Sequence, residues 1–360
     1  MRNGRLQVGI VGVGGIGRDQ HLPGWAKVPF AAVTAAADLD EPILQQVAQQ
    51  FSVQHTFTDW HELLAFPDLD IVDICTPNRT HAAIALAALE QGKHVLCEKP
   101  LATTADEVRA LRDASRSAGG VLMTGQHLRF ETTARQLKRL IDDDMLGEVY
   151  YCRAQWLRRR LVPARATFIE RRLSGGGPGC DLGVHMLDLA YWLMGAPEPR
   201  SVSAFAEAKL AHRPDVTGSW GDWDHERFDV EDFAAGFVRF ANGATLTLEA
   251  SWLAFQPERE LIRVQCYGTH GGAVWPEGVL TGETNRVPWN LRLEEVPQTT
   301  AHHEEILQFA LAVRDDLPSP VPVEESLQVV RILEAFYQSA REGREVTLVP
   351  VASSPVQEVA

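Results

Sequence analysis

The sequence lacks the features that mark membrane, secreted or nucleic-acid-binding proteins. No apolar stretch approaches the roughly 18–20 residues that span a bilayer, and Met1–Arg5 runs into a strand-like segment without the apolar core of a signal peptide. Lysine and arginine number 34 against 48 acidic residues, and the net charge of -14 gives no general attraction for nucleic acid or anionic lipid. We therefore expect a cytoplasmic protein that binds neither nucleic acid nor membranes.

Cysteine is also scarce, and its five positions contain no C-x-x-C pair. An odd number without paired spacing predicts neither a disulfide framework nor a zinc site. We expect each cysteine to be a small buried side chain rather than a nucleophile or a metal ligand. No metal is predicted. The five are Cys75, Cys97, Cys152, Cys180 and Cys266.

The first third of the chain alternates strand-like and helix-like segments. The predicted strands are near-continuous apolar runs, at Leu6–Val13, Ala31–Ala37, Asp70–Cys75 and Lys93–Cys97. Helical patterns lie between and after them, at Pro42–Gln50, Thr80–Glu90 and Thr104–Ala118. Such alternation predicts βαβ units and an α/β domain with a parallel sheet, which we place at residues 1–125.

The pattern changes after residue 125. A predicted helix, Glu131–Asp144, precedes longer alternating strands at Glu148–Leu157, Phe228–Phe240, Ala244–Leu253 and Leu261–Gly268. Asn242-Gly243 is a strong signal for a tight hairpin. These features predict a C-terminal α+β domain, residues 126–348, with a mostly antiparallel sheet. Two late helices, His303–Val313 and Glu324–Glu342, are expected to cover a sheet face or dock on the first domain, and residues 349–360 to form a frayed tail.

A glycine-rich turn follows the first strand. Its motif is G-x-G-x-x-G, formed by Gly12, Gly14, Gly15, Ile16 and Gly17 around Val13. Because it joins a buried strand to a helix, the context matches a dinucleotide-binding turn rather than a chance cluster of glycines. The first glycine permits the turn, the second lets a pyrophosphate approach, and the third allows close packing of the helix.

The second strand ends at Asp38, about twenty residues after the last glycine, which is the spacing of a ribose-binding acid. A carboxylate there accepts hydrogen bonds from ribose hydroxyls and repels a 2′-phosphate, so NAD is predicted rather than NADP. Asp40 is a weaker candidate for this role. The alternative is a structural turn with a capping aspartate.

Two later strand ends carry further candidates. The segment Thr76–His81 follows the third predicted strand, where ligands bind in open α/β sheets. Contacts from Thr76, Pro77, Asn78 and His81 to the cofactor are one interpretation, and capping of the next helix by Thr80 is the other. Glu98-Lys99-Pro100 ends the next strand, and an ammonium there can stabilise negative charge developing on a substrate oxygen; a surface lysine is the alternative.

A glycine run precedes Asp181 and His185 on a predicted helix. Residues four apart share a helix face, which suits a histidine general base with an aspartate nearby that orients either the histidine or the substrate. The structural alternative is a capping aspartate and a core histidine.

Taken together, these motifs resemble the Gfo/Idh/MocA family of oxidoreductases, which includes glucose–fructose oxidoreductase and inositol dehydrogenase. The resemblance implies a Rossmann domain that binds NAD, a catalytic Lys99, and functional roles for Asp181 and His185, with Glu98 and Lys99 also near the cofactor. It further implies that the C-terminal sheet is large and open, and that Arg129, Trp156 and Arg158 contact the substrate. Sugars, glycosides or cyclitols are the implied substrates, and a homodimer or homotetramer is the implied assembly.

Two other functions remain open at this stage. One is a sensor that binds NAD and a sugar without turnover, and the other is a glycosidase that uses tightly held NAD. The sequence names neither the sugar nor the carbon that reacts.

Overall fold

The N-terminal domain is built around a parallel sheet. The computed structural model describes residues 4–294 and 300–350. The strands of this first sheet are β1 (Leu6–Val11), β2 (Ala31–Ala37), β3 (His55–Phe57), β4 (Ile71–Ile74), β5 (His94–Glu98) and β6 (Leu122–Gly125). Their order is β3-β2-β1-β4-β5-β6 and all neighbours are parallel. This is the doubly wound order of dinucleotide-binding sheets, which confirms the predicted fold.

Helices cover both faces of this sheet. They are α1 (Leu22–Trp25), α2 (Glu41–Phe51), α3 (Trp60–Leu64), α4 (His81–Glu90) and α5 (Ala105–Ala118). A π-helical turn, Gly17–His21, leads into α1. The side chain of Asp40 caps α2 by accepting the Ile43 N–H, so this acid serves the helix N-terminus. With both faces covered, β1 and β4 are buried at every position, which explains their unbroken apolar sequences.

The second sheet is larger and mostly antiparallel, as predicted. Its strands are β7 (Val149–Arg158), β8 (Pro199–Glu207), β9 (Phe233–Phe240), β10 (Thr245–Ser251), β11 (Glu260–Gly268), β12 (Gly271–Trp275), β13 (Val279–Thr284), β14 (Val287–Arg292) and β15 (Val346–Thr347). Within this second sheet, only β7 and β10 pair in parallel among the described strands. Asn242-Gly243 joins β9 to β10, with Gly243 at φ +89, which confirms the hairpin.

One face of this sheet is packed and the other is open. The remaining helices are α6 (Thr132–Asp142), α7 (Ala166–Ile169), α8 (Arg171–Ser174), α9 (Val184–Leu193), α10 (Ala301–Arg314) and α11 (Val323–Glu342). Helix α9 is buried against the sheet. Helix α10 packs on the first sheet, where Phe309 meets Trp25 edge to face, and α11 touches both α5 and β8.

The strand β9 is shorter than predicted, and the predicted tail is described only at its first two residues. The strand predicted at Phe228–Phe240 begins only at Phe233, because Asp232 accepts the N–H groups of Leu210 and Ala211 and holds the preceding residues in a loop. Of the predicted tail, Val349 and Pro350 have no regular structure, and residues 351–360 lie outside the described residues.

Candidate active site

The glycine-rich turn lies at the carboxyl end of β1. Gly12 has φ +89, and a Cβ on it would stand 2.6 Å from the carbonyl oxygen of Cys75. A Cβ on Gly17 would collide with the carbonyl oxygen of Gly12. Gly14 differs, because nothing lies within 4 Å of its Cβ position. A side chain there would fill open space in front of a helix N-terminus, and this is the space that a pyrophosphate needs.

Asp38 lies beside this turn at the end of β2. Its Oδ2 accepts the Val13 N–H at 2.8 Å, and its Oδ1 accepts the Asp40 N–H at 3.0 Å. The carboxylate is therefore fixed by the backbone of the glycine turn and keeps further lone pairs for ribose hydroxyls. The turn and the acid fit the two ends of an adenosine diphosphate.

Arg165, which the sequence analysis missed, approaches the same turn from the segment before α7. Its Nη1 lies 3.4 Å from the Cβ position of Gly15. A guanidinium beside the positive end of a helix is unfavourable unless an anion lies between them. This arrangement also fits a bound pyrophosphate.

The residues after β4 tie loops together. His81 is fully buried, with Nδ1 2.8 Å from the carbonyl oxygen of Pro100 and Nε2 2.8 Å from that of Thr76. Asn78 donates to the carbonyl oxygen of Ser174 at 2.8 Å. Thr80 donates to Pro77 and does not cap α4 with its side chain, so the capping alternative is wrong. The side chains of His81 and Asn78 therefore hold this loop in place, and contacts from the loop to a cofactor stay a prediction.

A chain of buried hydrogen bonds between charged side chains holds Glu98 in place. His21, at the end of the π-helical turn, has Nδ1 2.9 Å from Asp73 and Nε2 3.0 Å from Glu98. Although burial opposes it, the charge of Asp73 raises the pKa of His21 well above its ordinary value. Burial alone would raise the pKa of Glu98, but the hydrogen bond to His21 and the charges of His21 and Lys99 together lower it to about 2. Glu98 in turn accepts the Lys99 N–H at 3.0 Å and so fixes the backbone of that lysine.

The same histidine belongs to a group of potential metal ligands. Atoms of His21, Asp73 and Cys75 lie within 4.8 Å of one another. Both nitrogens of His21 face carboxylates, and a protonated imidazole has no lone pair for a metal. The group acts as an ion cluster that holds the first turn to β4 and β5.

Lys99 and Asp181 meet across the two domains. Lys99 Nζ donates to the backbone oxygen of Asp181 at 2.9 Å and lies 3.4 Å from its Oδ1. Trp252 Nε1 donates to the other carboxylate oxygen at 3.0 Å. Both side chains are about 15% exposed, at 15% for Lys99 and 16% for Asp181. The ammonium therefore has a fixed position at the carboxyl end of β5, where the sheet binds ligands.

His185 lies next to this pair, but no hydrogen bond joins it to Asp181. The expectation that Asp181 orients His185 is wrong in this respect. Asp181 belongs to a π-helical turn, Gly179–Gly183, and the wider turn breaks the alignment of residues four apart. The Nδ1 of His185 is buried without a partner among the described residues. Burial, followed by the charge of Lys99, lowers the pKa of His185 well below its ordinary value.

Two further histidines surround His185. The ring of His127 stands edge to face against it at 4.8 Å, and His302 stacks on His127 at 4.0 Å. His127 follows β6, so the rule that selected Lys99 at a strand end applies to it as well. His302 comes from α10, far along the chain, and no local sequence signal connects it with the site.

Trp156 and Arg158 form the opposite wall. The Trp156 ring lies 5.9 Å from that of His185. Both Trp156 and Arg158 donate to Glu260, at 2.7 and 2.8 Å. The Arg158 guanidinium lies over Trp156 and also over Trp220, which is 53% exposed. The wall thus extends from His185 towards solvent.

Arg129 does not reach this cleft, and its predicted substrate contact is wrong. It is buried and donates to both carboxylate oxygens of Asp188, at 2.7 and 2.6 Å, and also pairs with Glu325. A guanidinium that is satisfied by two carboxylates has a structural role, which here is to join α9 to α11.

The glycine run before Asp181 is held by a residue that the sequence did not indicate. Glu231 Oε1 accepts the N–H groups of Gly177 and Gly179, at 2.9 and 3.1 Å, and the hydroxyl of Tyr337 at 2.6 Å. Side chains on these glycines would collide with Glu231 or Tyr337. The close packing fixes the turn that carries Asp181.

Known proteins match this chain along most of its length. Residues 6–126 match the model of an oxidoreductase family with an NAD-binding Rossmann fold, and residues 134–274 match the GFO/IDH/MocA C-terminal domain. The D-glucoside 3-dehydrogenase of Escherichia coli (strain K12) is 32% identical over 349 residues, which cover 97% of this chain and 99% of that protein.

Further similarity extends to another sugar dehydrogenase. Levoglucosan dehydrogenase of Pseudarthrobacter phenanthrenivorans is 29% identical over 289 residues, covering 75% of this chain and 73% of that protein. A solved levoglucosan dehydrogenase in complex with NADH and levoglucosan superposes with a TM-score of 0.82 at 25% identity, covering 95% of this chain and 99% of the other. In the described part of this chain, no helix has the length and apolarity to cross a membrane.

Proposed function

Because the chain belongs to the Gfo/Idh/MocA family of NAD-binding oxidoreductases, we propose that it transfers a hydride between nicotinamide and a secondary alcohol, or the matching ketone, of a sugar or glycoside. The observation that carries the proposal is the meeting of Lys99, Asp181 and the unpartnered His185 at the carboxyl edge of the sheet. A binding protein has no need for an ammonium fixed beside a buried, unpartnered imidazole.

The cofactor is proposed to be NAD rather than NADP. Bound NAD accepts the hydride. The open space at Gly14 and the guanidinium of Arg165 would hold its pyrophosphate, and Asp38 would accept hydrogen bonds from its ribose. The fixed negative charge of Asp38 would repel a 2′-phosphate.

Three side chains would act on the substrate oxygen. His185 takes the hydroxyl proton while the carbon loses its hydrogen with the bonding electrons, and the alcohol becomes a ketone. Lys99 donates a hydrogen bond to the same oxygen and stabilises its developing negative charge. Asp181 holds the ammonium of Lys99 in place. In the reverse direction the protonated His185 returns the proton.

A glucoside is the substrate class that we propose to test first. The support is the similarity to a D-glucoside 3-dehydrogenase over nearly the whole chain and the aromatic wall of Trp156, Arg158 and Trp220. Flat aromatic surfaces match the apolar C–H faces of pyranose rings. Cyclitols and anhydrosugars are the next candidates.

The test is NADH formation, followed by absorbance, with NAD and a panel of glucosides, anhydrosugars, aldoses and inositols. We expect one class to react, and Lys99→Ala to lower kcat by at least about 10²-fold while NAD still binds, since an electrostatic stabiliser of this kind contributes that much. The control is Lys27→Ala, a surface lysine outside the site, which should keep full activity.

Two outcomes would contradict the proposal. NAD and sugar binding without turnover would indicate a sensor. Cleavage of a glycosidic bond without net NADH would indicate a glycosidase that uses NAD transiently.

The assembly and the compartment are also proposals. The open face of the second sheet presents Phe205, Phe237 and Tyr151, which supports a homodimer through that face. All five cysteines are free, and even Cys152 and Cys266, whose sulfurs lie 3.4 Å apart, form no disulfide. Free thiols this close together favour the reducing cytoplasm as the compartment.

We also propose that the two domains comprise residues 1–125 and 126–348.

A further inference from the structure

Three histidines from three separate elements meet beside Lys99. His185 begins α9, His127 follows β6, and His302 lies in the first turn of α10. The rings of His127 and His302 are nearly parallel, with an interplanar angle of 14°, whereas His127 and His185 meet at 72°. The three rings form one continuous surface, which we call the histidine wall.

The histidine wall lacks hydrogen bonds. In the described ranges, 4–294 and 300–350, neither His127 nor His302 has a hydrogen-bond partner, and the buried Nδ1 of His185 has none either. In the first domain, by contrast, His21 and His81 use both of their ring nitrogens. The buried Nδ1 of His185 is costly without a partner, and the partly exposed rings of His127 and His302 beside it leave their nitrogens free for a polar ligand.

The electrostatic environment keeps these rings uncharged. Burial, followed by the charge of His302, lowers the pKa of His127 to about 3, and burial lowers the pKa of His302 to about 4. Lys99 and His21 act in the same direction on both rings, while Glu98 opposes them. A neutral imidazole offers one N–H donor and one acceptor. A sugar hydroxyl also donates once and accepts, so the two groups are complementary.

We propose that His127 and His302 bind hydroxyl groups next to the one that reacts, and so select a ring with vicinal hydroxyls. The ring of His127 is only 4.8 Å from that of His185, which would receive the reacting proton. Two imidazole rings at this distance can bind neighbouring hydroxyl groups of one small molecule. This inference rests on the proposed function, and it adds specificity residues to that reaction.

The test combines variants with substrate analogues. The variants are His127→Phe and His302→Phe, which keep a stacked ring but remove its nitrogens, and the control is His61→Phe, an exposed histidine whose side chain is 67% accessible. The probes are methyl β-D-glucopyranoside and its 2-, 3-, 4- and 6-deoxy analogues. Each enzyme is assayed for kcat and KM with each probe.

If a histidine contacts a given hydroxyl, replacing the histidine and removing that hydroxyl delete the same hydrogen bond. Their separate losses of kcat/KM should then not multiply. We expect His127→Phe or His302→Phe to lower kcat/KM for the parent glucoside by about 10- to 100-fold. Against one deoxy analogue, which wild type already uses poorly, the same variant should cause almost no further loss. Losses that multiply for every analogue would overturn the inference. A change confined to the affinity for NAD would also overturn it, because the wall would then contact the cofactor.

A binding measurement separates this failure from failure of the proposed function. Histidine ring nitrogen signals are recorded by NMR in the complex with NADH before and after adding methyl β-D-glucopyranoside. We expect the His127 and His302 signals to shift. Saturable binding without these shifts would overturn the inference alone. If neither these probes nor any member of the wider sugar panel binds or is oxidised, the proposed function fails, and the inference fails with it.

Discussion

The proposed general base, His185, has no carboxylate partner in the part of the chain that the structure describes. Burial, followed by the charges of Lys99, His127, His302 and Arg158, lowers its pKa well below the ordinary value. The imidazole is therefore unprotonated, and ready to accept a proton, at every pH near neutrality. Its correct orientation must come from packing and from the substrate itself.

The pH profile of the oxidation tests this arrangement. Because protonation inactivates the base only below its lowered pKa, kcat/KM should stay level from pH 7 down past about 6.5 and fall only in more acidic solution. His185→Gln should lower kcat by about 10²- to 10⁴-fold and remove that acidic decline. Steady-state rates across the pH range provide the measurement. A decline centred at or above the ordinary histidine pKa would contradict it.

Single residues also mark the limit of what the sequence revealed. Lys99 and Asp38 were predictable because strand ends and motif spacing place them in a parallel sheet, and the structure puts both at the expected edge. The role of Arg129 was not predictable, because its partners Asp188 and Glu325 come from α9 and α11. Pairings between distant elements leave no periodic signal in the sequence.

At the scale of elements, the strands with strong patterns were predicted nearly to the residue. The strand β2 matches its predicted range, whereas β12 to β14 were missed because their outer strands are exposed and lack alternation. The turn Gly179–Gly183 was expected to be ordinary helix. Its π-helical form depends on Glu231 and Tyr337, which lie far away in sequence.

The packing of this turn predicts a positioning role for Tyr337. Tyr337→Phe removes one hydrogen bond to the buried Glu231, which is worth about 1.5–3 kcal/mol when the acceptor is charged. We expect kcat to fall about 10-fold with the NAD affinity unchanged, because Asp181 and Lys99 lose their fixed geometry. Rapid kinetics and NAD titration measure the two effects.

A matched variant controls for simple loss of stability. Tyr191 is also buried and donates to the carbonyl oxygen of Ala196 at 3.1 Å, on the far end of α9. Tyr191→Phe should lower the free energy of unfolding by about 0.5–1.5 kcal/mol and leave kcat unchanged. Equal losses of kcat in both variants would argue against a positioning role for Tyr337.

At the scale of the whole molecule, one face of the second sheet carries exposed or half-buried aromatic side chains on several neighbouring strands. Phe205 is 42% exposed there and pairs across strands with Ala235, beside Phe237. Tyr151 and Tyr267 continue the same face, with ring centroids 5.5 Å apart. Exposed aromatic side chains on one flat surface are typical of a subunit interface.

The oligomeric state tests this surface. Light scattering after gel filtration should show that the wild type is a dimer or a tetramer. Phe205→Glu should reduce the particle mass, because a charge would be buried at the interface. Phe255→Glu changes another exposed phenylalanine, in the loop between β10 and β11, and should leave the assembly intact. A monomeric wild type would contradict the proposed interface.

In the proposed reaction a substrate hydrogen moves to the cofactor, while Lys99 stabilises the hydroxyl oxygen and His185 takes its proton. The most direct measurement uses a glucoside deuterated at its ring carbons and follows the cofactor by mass spectrometry. We expect the wild type to form NADH that carries deuterium, and the Lys99→Ala variant to form almost none. Stable binding of NAD and glucoside without labelled NADH, or a cleaved glycoside with unlabelled cofactor, would contradict it.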